Sequence, residues 1–336
     1  MIDHRRLGRE LDLFVSDPLA GAGLPIWLPA GAAARHAVEE YVRELPLRIA
    51  ELGGMYRSER SGVLGGLSRV RAISLNDAHT FCAPEQVGTE VAEILGLIRA
   101  AHAALGVRPA GFRLSLRGSG DKYVGDDAQW TRAEDLLRGA LAGVEYAEAP
   151  GEAAFYGPKI DIQIVDAAGR ESTISTIQVD FDKPERFDLS YTDSDGSRRR
   201  PVMLHRSLVG SMERLFAYLI EAHEGAFPAW YAPVQLVVLP VSDGQVDAAA
   251  DLARRAVDAG LRAEVDAAGS LGARVRDAAR RRIPYLGVLG ASEAADGALA
   301  LRLRDGRALA PMPADAALAL IGGQVAARAA DLLPPG

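Results

Sequence analysis

The stretch Met55-Tyr56-Arg57-Ser58-Glu59, followed after a turn by Arg69-Val70-Arg71-Ala72-Ile73-Ser74-Leu75-Asn76-Asp77-Ala78-His79-Thr80-Phe81-Cys82, decides the reading of this chain. Between its halves lies Ser61-Gly62-Val63-Leu64-Gly65-Gly66, a glycine-rich turn. Two strand-like runs around such a turn predict a β-hairpin with a long loop. Alternate residues of a strand share a face, so Arg57 with Glu59, and Arg69 with Arg71, are expected to point together. A guanidinium is a rigid fork suited to gripping a phosphate with two hydrogen bonds. Arginines on both arms therefore make a phosphate clamp; a solvated ladder of ion pairs across the hairpin is the competing reading.

Working outward, residues 1–16 and His36 to Ile49 read as amphipathic helices, the second interrupted by Pro46. Helices are expected over Glu85 to Leu105, Trp130 to Leu141 and Leu208 to Glu221. Strands are expected at Arg113 to Leu116, Phe155 to Val165 and Glu171 to Phe181, the last two joined by a turn at Asp166-Ala167-Ala168-Gly169. Pro228 to Pro233 marks a boundary. Beyond it strand and helix alternate: Val234 to Leu239, Gly244 to Ala259, Arg262 to Val265, Leu271 to Arg282, Tyr285 to Leu289. Such alternation predicts a small α/β domain with a mainly parallel sheet. The predicted architecture is an α+β domain with a mostly antiparallel sheet over 1–230, followed by an α/β domain over 231–336.

Composition narrows the class. The chain has 336 residues, 49% hydrophobic and 25% charged, with a net charge of −7, which is ordinary globular composition. No apolar run approaches the roughly 20 residues of a membrane helix, and Met1-Ile2-Asp3-His4-Arg5-Arg6 lacks the apolar core of a secretory signal. The expectation is no membrane partner and a cytoplasmic location. The one cysteine, Cys82, excludes an internal disulfide. After Pro233 arginines and acids balance, so the segment before it carries the net charge. Neutrality there permits an RNA partner without demanding one.

Two further groups carry chemistry. Asp77-Ala78-His79 with the distant His205 could ligate a metal, but zinc needs three or four ligands. Gly210-Ser211-Met212-Glu213-Arg214 opens a helix, where Arg214 could reach a phosphate or remain an ordinary ion-paired arginine.

Taken together these strings resemble the class II aminoacyl-tRNA synthetases: Arg57-Ser58-Glu59 their motif 2, Gly210 to Arg214 their motif 3. Asp3-His4-Arg5, Leu45-Pro46-Leu47-Arg48, Asp77 to Cys82, Ala154-Phe155-Tyr156-Gly157-Pro158-Lys159-Ile160, Gln178-Val179-Asp180-Phe181 and His205-Arg206 follow in the order of the threonyl-tRNA synthetases. The resemblance runs from about residue 3 to about residue 325. It implies ATP and magnesium as cofactors, and a small amino acid and tRNA as partners. By the same resemblance Arg57 would hold the α-phosphate as a catalytic residue, with Arg214. Glu59 would meet adenine, Arg69 and Arg214 would grip distal phosphates, and Gln178 would line the adenylate pocket. Asp77, Tyr156 and Lys159 would border the amino acid, and His79 and His205 would be metal ligands. In the second domain Arg280, Arg302 and Arg304 would meet tRNA, though the run Arg280–Arg282 also suits a solvated helix end.

The chain departs from this family in four ways. A large block that holds most of motif 1 and the cysteine ligand of zinc is missing near residues 43–45. The usual homodimer interface is therefore compromised, and the zinc site loses its third ligand. Leu75 replaces a glutamine beside the amino acid, and Ile73 replaces an aromatic that stacks on adenine. No N-terminal editing domain is expected. These departures leave two alternatives: a paralogue that activates another amino acid or uses a non-tRNA acceptor, and a non-catalytic tRNA-binding regulator.

Overall fold

In the computed structural model, which describes residues 14–16, 25–27, 46–64 and 66–334, the hairpin forms one side of a larger sheet. Phe14–Ser16 (β1) and Pro25–Trp27 (β2) make a separate antiparallel ribbon. The hairpin strands are Leu47–Tyr56 (β3) and Ala72–Cys82 (β4), paired from Leu47 opposite Phe81 to Tyr56 opposite Ala72. Helix Val87–Leu105 (α1), strand Gly111–Leu116 (β5), helix Asp127–Ala140 (α2) and strand Tyr146–Pro150 (β6) follow. Next come Lys159–Val165 (β7), Glu171–Asp180 (β8), the short helix Asp182–Arg186 (α3) and a ribbon of Tyr191–Thr192 (β9) with Arg198–Arg199 (β10). Strand Val202–Ser207 (β11) and helix Met212–Ala222 (α4) complete this lobe.

The seven strands lie in the order β3-β4-β11-β8-β7-β5-β6. All neighbours are antiparallel except β5 and β6. A strand alternates its side chains between faces, and here the two faces differ in kind. Ile160, Ile162, Ile164, Ile177, Val179, Val202 and Leu204 point to one face. There they pack with Val91, Ile94 and Ile98 of α1, Leu137 of α2 and Leu215 and Leu219 of α4. Each such burial stabilises by about 1.5–3 kcal/mol. Lys159, Asp161, Thr176, Gln178, His205 and Asp77 take the other face, which is left to the cleft. The helix ends are individually defined. Asp126 and Gln129 form a reciprocal cap on α2, and Gly106, at φ 74, closes α1 in the left-handed conformation.

The second lobe contains Leu236–Pro240 (β12), Val246–Asp258 (α5), Ala263–Val265 (β13), Leu271–Arg280 (α6) and Tyr285–Leu289 (β14). Ala291–Asp296 (α7), Ala298–Leu303 (β15), Met312–Pro313 (β16) and Ala314–Ala326 (α8) follow. Its sheet runs β13-β12-β14-β15-β16, parallel across the first three strands and antiparallel thereafter. Every residue of β12 is buried, because helices cover both of its faces. The α+β lobe with a mostly antiparallel sheet, and an α/β lobe after it, are as the sequence predicts, but the second sheet is half antiparallel rather than mainly parallel.

Several local expectations need correction. Phe14–Ser16 is strand, not the end of a helix, and the rest of 1–16 lies outside the described residues. Leu47 to Ile49 begin β3 rather than ending a helix, while 36–45 lie outside the described residues. Pro46 cannot continue a helix, and ten ladder positions against β4 outweigh local helical spacing. The helix expected from Leu208 starts at Met212, because Ser211 caps it by accepting from the Arg214 N–H. The strand expected from Phe155 starts at Lys159. Strands β2, β6, β9, β10, β11, β15 and β16 and helices α3, α7 and α8 are not among the expected elements.

The one-sided sheet makes a direct prediction. Ile162→Ala, on the apolar face, should lower unfolding free energy by about 2–5 kcal/mol. Val165→Ala, at the exposed end of the same strand, should cost about 0.5 kcal/mol or less. Urea denaturation of the two variants measures the difference.

Candidate active site

The insertion of β11 between β4 and β8 assembles the site. It sets His205 directly opposite His79 on one side and Gln178 on the other. Arg57, Glu59, Arg69, Asp77, Tyr156, Gln178, His205 and Arg214 all line one cleft of about 480 Å3. Ile73 and Leu75 form part of its floor.

Strand alternation is not what gathers the arginines. Arg57 and Glu59 lie beyond the end of β3, and Arg69 and Arg71 lie before β4. The loop holds them instead. Arg57 N–H donates to the Arg71 carbonyl at 2.8 Å, Arg71 Nε donates to the Glu59 carbonyl, and Arg69 Nη2 lies 3.0 Å from Glu59 Oε2. Across the cleft, Arg214 is fixed by the start of α4. Glu213 accepts the Ser74 N–H with both carboxylate oxygens, at 3.0 and 3.1 Å. Asn76 N–H donates to the Gly210 carbonyl, and the Asn76 side chain accepts the Leu208 N–H. Gly210 has φ +65, and a Cβ there would sit 2.8 Å from the Ile174 carbonyl oxygen, so only glycine fits this turn. The Arg214 guanidinium then donates to the Thr173 carbonyl at 3.3 Å.

Three like charges consequently share the cleft. Arg214 is pulled below its ordinary pKa by burial first, then by Arg57 and Arg69. Glu59 is the acidic partner of Arg69, and neither Arg57 nor Arg214 has an acidic partner among the described residues. A concave site with uncompensated guanidinium charge is built for an anion.

The other end of the cleft is acidic and aromatic. Tyr156 donates to the Gln178 side-chain oxygen, and burial with Asp180 and Asp77 nearby pushes its phenol up to about 12. Gly157 presses so closely on β8 that a Cβ would collide with the Val179 carbonyl, which seats Tyr156 on the cleft wall. The rings of His79 and His205 meet edge to face with centroids 4.7 Å apart. His205 Nε2 lies 2.7 Å from Asp180 Oδ2, and Asp180 is fully buried. His79 Nε2 lies 4.0 Å from Asp77 Oδ2. Lys159 is turned along β7 onto Asp161, whose buried carboxylate also accepts from Ser115 and Thr176.

The donor set does not fit zinc among the described residues. His205 is bonded to Asp180, and no group of three His, Cys, Asp or Glu able to hold a metal occurs there. Cys82 lies on the helix-facing side of β4, and burial with Glu90 and Glu85 pushes its thiol up to about 12.

Arg280, Arg302 and Arg304 belong to the second lobe. Arg280 pairs with Asp277, and Arg302 is exposed on β15. Arg304 faces inward, donating to the carbonyls of Phe227 at 2.5 Å and Arg282 at 3.4 Å. Sequence reasoning passed over Asn76, Glu213, Asp161 and Asp180. For Asp161 the signal was available, since it follows Lys159 by two positions on one strand. The contacts of Asn76 and Glu213 join residues 131 to 139 positions apart and leave no local trace.

The antiparallel sheet, the two-armed arginine loop and the capped helix carrying a third arginine define a class II synthetase core. Residues 32–223 match the family described as "tRNA synthetase class II core domain (G, H, P, S and T)", and residues 235–323 match "Anticodon binding domain". The chain belongs to this class II tRNA synthetase family. Within it, the chain falls among the threonyl-tRNA synthetases. It is 41% identical over 375 residues to a threonine–tRNA ligase of Levilactobacillus brevis, covering 89% of this chain and 58% of that protein. It is 39% identical over 397 residues to one of Listeria monocytogenes, covering 96% and 62%. The chain thus spans about three fifths of the length of these curated relatives. The aligned span of 397 positions exceeds the 336 residues of this chain, so the relative carries internal residues that this chain lacks. Among solved structures, the "RNA binding domain of Threonyl-tRNA synthetase" of Cryptosporidium parvum Iowa II superposes with TM-score 0.78 at 30% identity, covering 96% of this chain and 98% of that one. A putative threonyl-tRNA synthetase of Aeropyrum pernix shares the fold, with TM-score 0.72 at 23% identity over 99% of both chains.

Two histidines set a pH dependence. Burial lowers the pKa of His102, which is enclosed beside Ser175 at 2.8 Å. Burial first, then His205, lowers that of His79 against the opposing pull of Asp77 and Asp180. A lowered folded value means the unfolded chain takes the proton first. Stability should therefore be lost as pH falls below about 6.5 toward the folded values. His102→Gln should flatten that loss between about pH 7 and pH 5, as read by urea midpoints across the range.

Proposed function

We propose that this chain activates threonine, or a similar small amino acid, with ATP as the aminoacyl-adenylate and transfers it to tRNA. The observation that carries this reading is the convergence of Arg57, Arg69 and Arg214 in one cleft, with the anion they require supplied by a nucleoside triphosphate. In this reading the amino-acid carboxylate attacks the α-phosphorus and pyrophosphate leaves. Arg57 stabilises the charge developing on the α-phosphoryl oxygens, and Arg69 and Arg214 hold the leaving phosphates. Glu59 and Gln178 orient the base and the adenylate, and Ile73 supplies an apolar floor. Magnesium bound with ATP would offset part of the phosphate charge beside Arg57, Arg69 and Arg214. Asp77 accepts from the substrate ammonium, with Tyr156 and Lys159 bordering the side chain. The protein's task is positioning and electrostatics rather than covalent chemistry.

The remaining assignments belong to the same reading. The synthetase core occupies 1–230 and the tRNA-binding lobe 231–336, where Arg280 and Arg302 present outward cations to RNA. Arg304 contributes there through the position of the linker. The protein acts in the cytoplasm; no helix among the described residues is long and apolar enough to cross a membrane. A homodimer would have to form without the internal residues found in the relatives.

A second reading is favoured by Leu75 on the cleft floor and by the misfit to zinc. A pocket without a partner for a substrate hydroxyl separates isosteric side chains poorly. The amino acid or the acceptor would then differ from threonine and its tRNA.

Arg57→Ala should reduce ATP–pyrophosphate exchange by about 10^2-fold or more while leaving circular dichroism unchanged. Undiminished exchange would remove Arg57 from the chemistry. Metal analysis of the purified protein should find zinc well below one per chain. A full equivalent would contradict the donor geometry.

A further inference from the structure

The segment joining the two lobes is gripped from both sides by different parts of its own covalent structure. Its backbone is held by the second lobe. Arg304 Nη1 donates to the Phe227 carbonyl at 2.5 Å, and Gln235 Nε2 to the Ala229 carbonyl at 2.8 Å. Arg262 donates to the Trp230 carbonyl at 2.9 Å through Nη2 and to the Ala232 carbonyl at 2.8 Å through Nε. Its side chains are held by the first lobe. Trp230 Nε1 donates to the Ala104 carbonyl at 3.1 Å and Tyr231 OH to the Leu105 carbonyl at 3.0 Å. These are the C-terminal carbonyls of α1, which have no partner within the helix. Phe227 and Tyr231 also pack on the first lobe's core, whereas Ala229, two positions from each, is buried in the core of the second.

A connector of this length without such contacts would let the lobes sample many orientations. Here consecutive residues alternate their allegiance, so neither lobe can rotate without breaking bonds made by the other. Arg262 and Arg304 have no acidic partner among the described residues. Their cationic forks are directed at peptide carbonyls, a use in which geometry matters more than charge.

We infer that Arg262 and Tyr231 are positioning residues that fix the angle between the lobes, so that a tRNA held by the second lobe presents its acceptor end to the cleft. This rests on the tRNA-charging reading above. The junction contributes by keeping the two tRNA contacts in register, which raises the effective concentration of the acceptor end at the cleft. Adenylate formation, confined to the first lobe, does not need it.

The experiment uses the full chain with Arg262→Lys, Tyr231→Phe and the double variant. Both changes are mild and act from opposite lobes. Small-angle scattering should show a larger radius of gyration and interdomain flexibility, greatest in the double variant. Pyrophosphate exchange should stay within about twofold of the parent, while the KM for a threonine tRNA transcript in charging rises about tenfold. Unchanged scattering and unchanged KM in the double variant would overturn the inference. So would a parallel fall in exchange, which marks damage to the catalytic lobe rather than loss of alignment. If the parent chain charges no tRNA yet the variants loosen in scattering, the junction stands and the charging reading falls.

Discussion

Like charges held together with too few counter-charges are the constraint that the rest of this molecule serves. Arg57 and Arg214 approach one another and Arg69 with a single carboxylate, Glu59, among them. Such an arrangement is unfavourable until an anion arrives, so the fold must impose it. It does so with contacts made to backbone groups. Glu213 clasps a backbone N–H of β4, Asn76 bonds both ends of the loop before α4, and Gly210 takes a turn no other residue can enter. Arg57 and Arg214 are then aimed by backbone geometry, while Arg69 is steadied by its ion pair with Glu59.

The sheet supplies the second half of the arrangement. A helix layer covers one face, which frees the other for polar side chains in rows two residues apart. Inserting β11 between β4 and β8 sets the histidine pair and Gln178 side by side, although their positions in the chain differ by up to 126 residues. At that end the chemistry is compact. Asp180 is buried against His205, and Tyr156 is kept protonated. The same economy of contacts recurs at the linker, where peptide carbonyls rather than carboxylates receive the arginines.

The hairpin, the division into an α+β lobe and an α/β lobe, and the helices α1, α5 and α6 were legible because each follows from local periodicity. The convergence of Arg57, Arg69 and Arg214 was legible only through ordered strings spread along the chain, since no spacing rule links residues 57 and 214. The faces assigned to Arg57 and Arg69 were reached for the wrong reason: both residues sit in loop, where alternation has no force. Ladder pairing overrode helical spacing at Leu47 to Ile49, because tertiary hydrogen bonds outweigh propensity. Asn76 and Glu213 stayed invisible because their partners are backbone groups, which no sequence pattern specifies. Arg304 read as a surface cation from its neighbours, yet a strand end beside the linker turns it inward.

Cys82 lends the molecule an incidental property. The only thiol in the chain is sealed under α1 and is pushed up to about 12, so at neutral pH almost none of it is the reactive thiolate. Peroxide, disulfide exchange partners and soft metal ions meet no nucleophilic sulfur here. The thiol state of the chain is thus insulated from the redox poise around it, and a cysteine introduced at any exposed position would be the sole site of thiol chemistry.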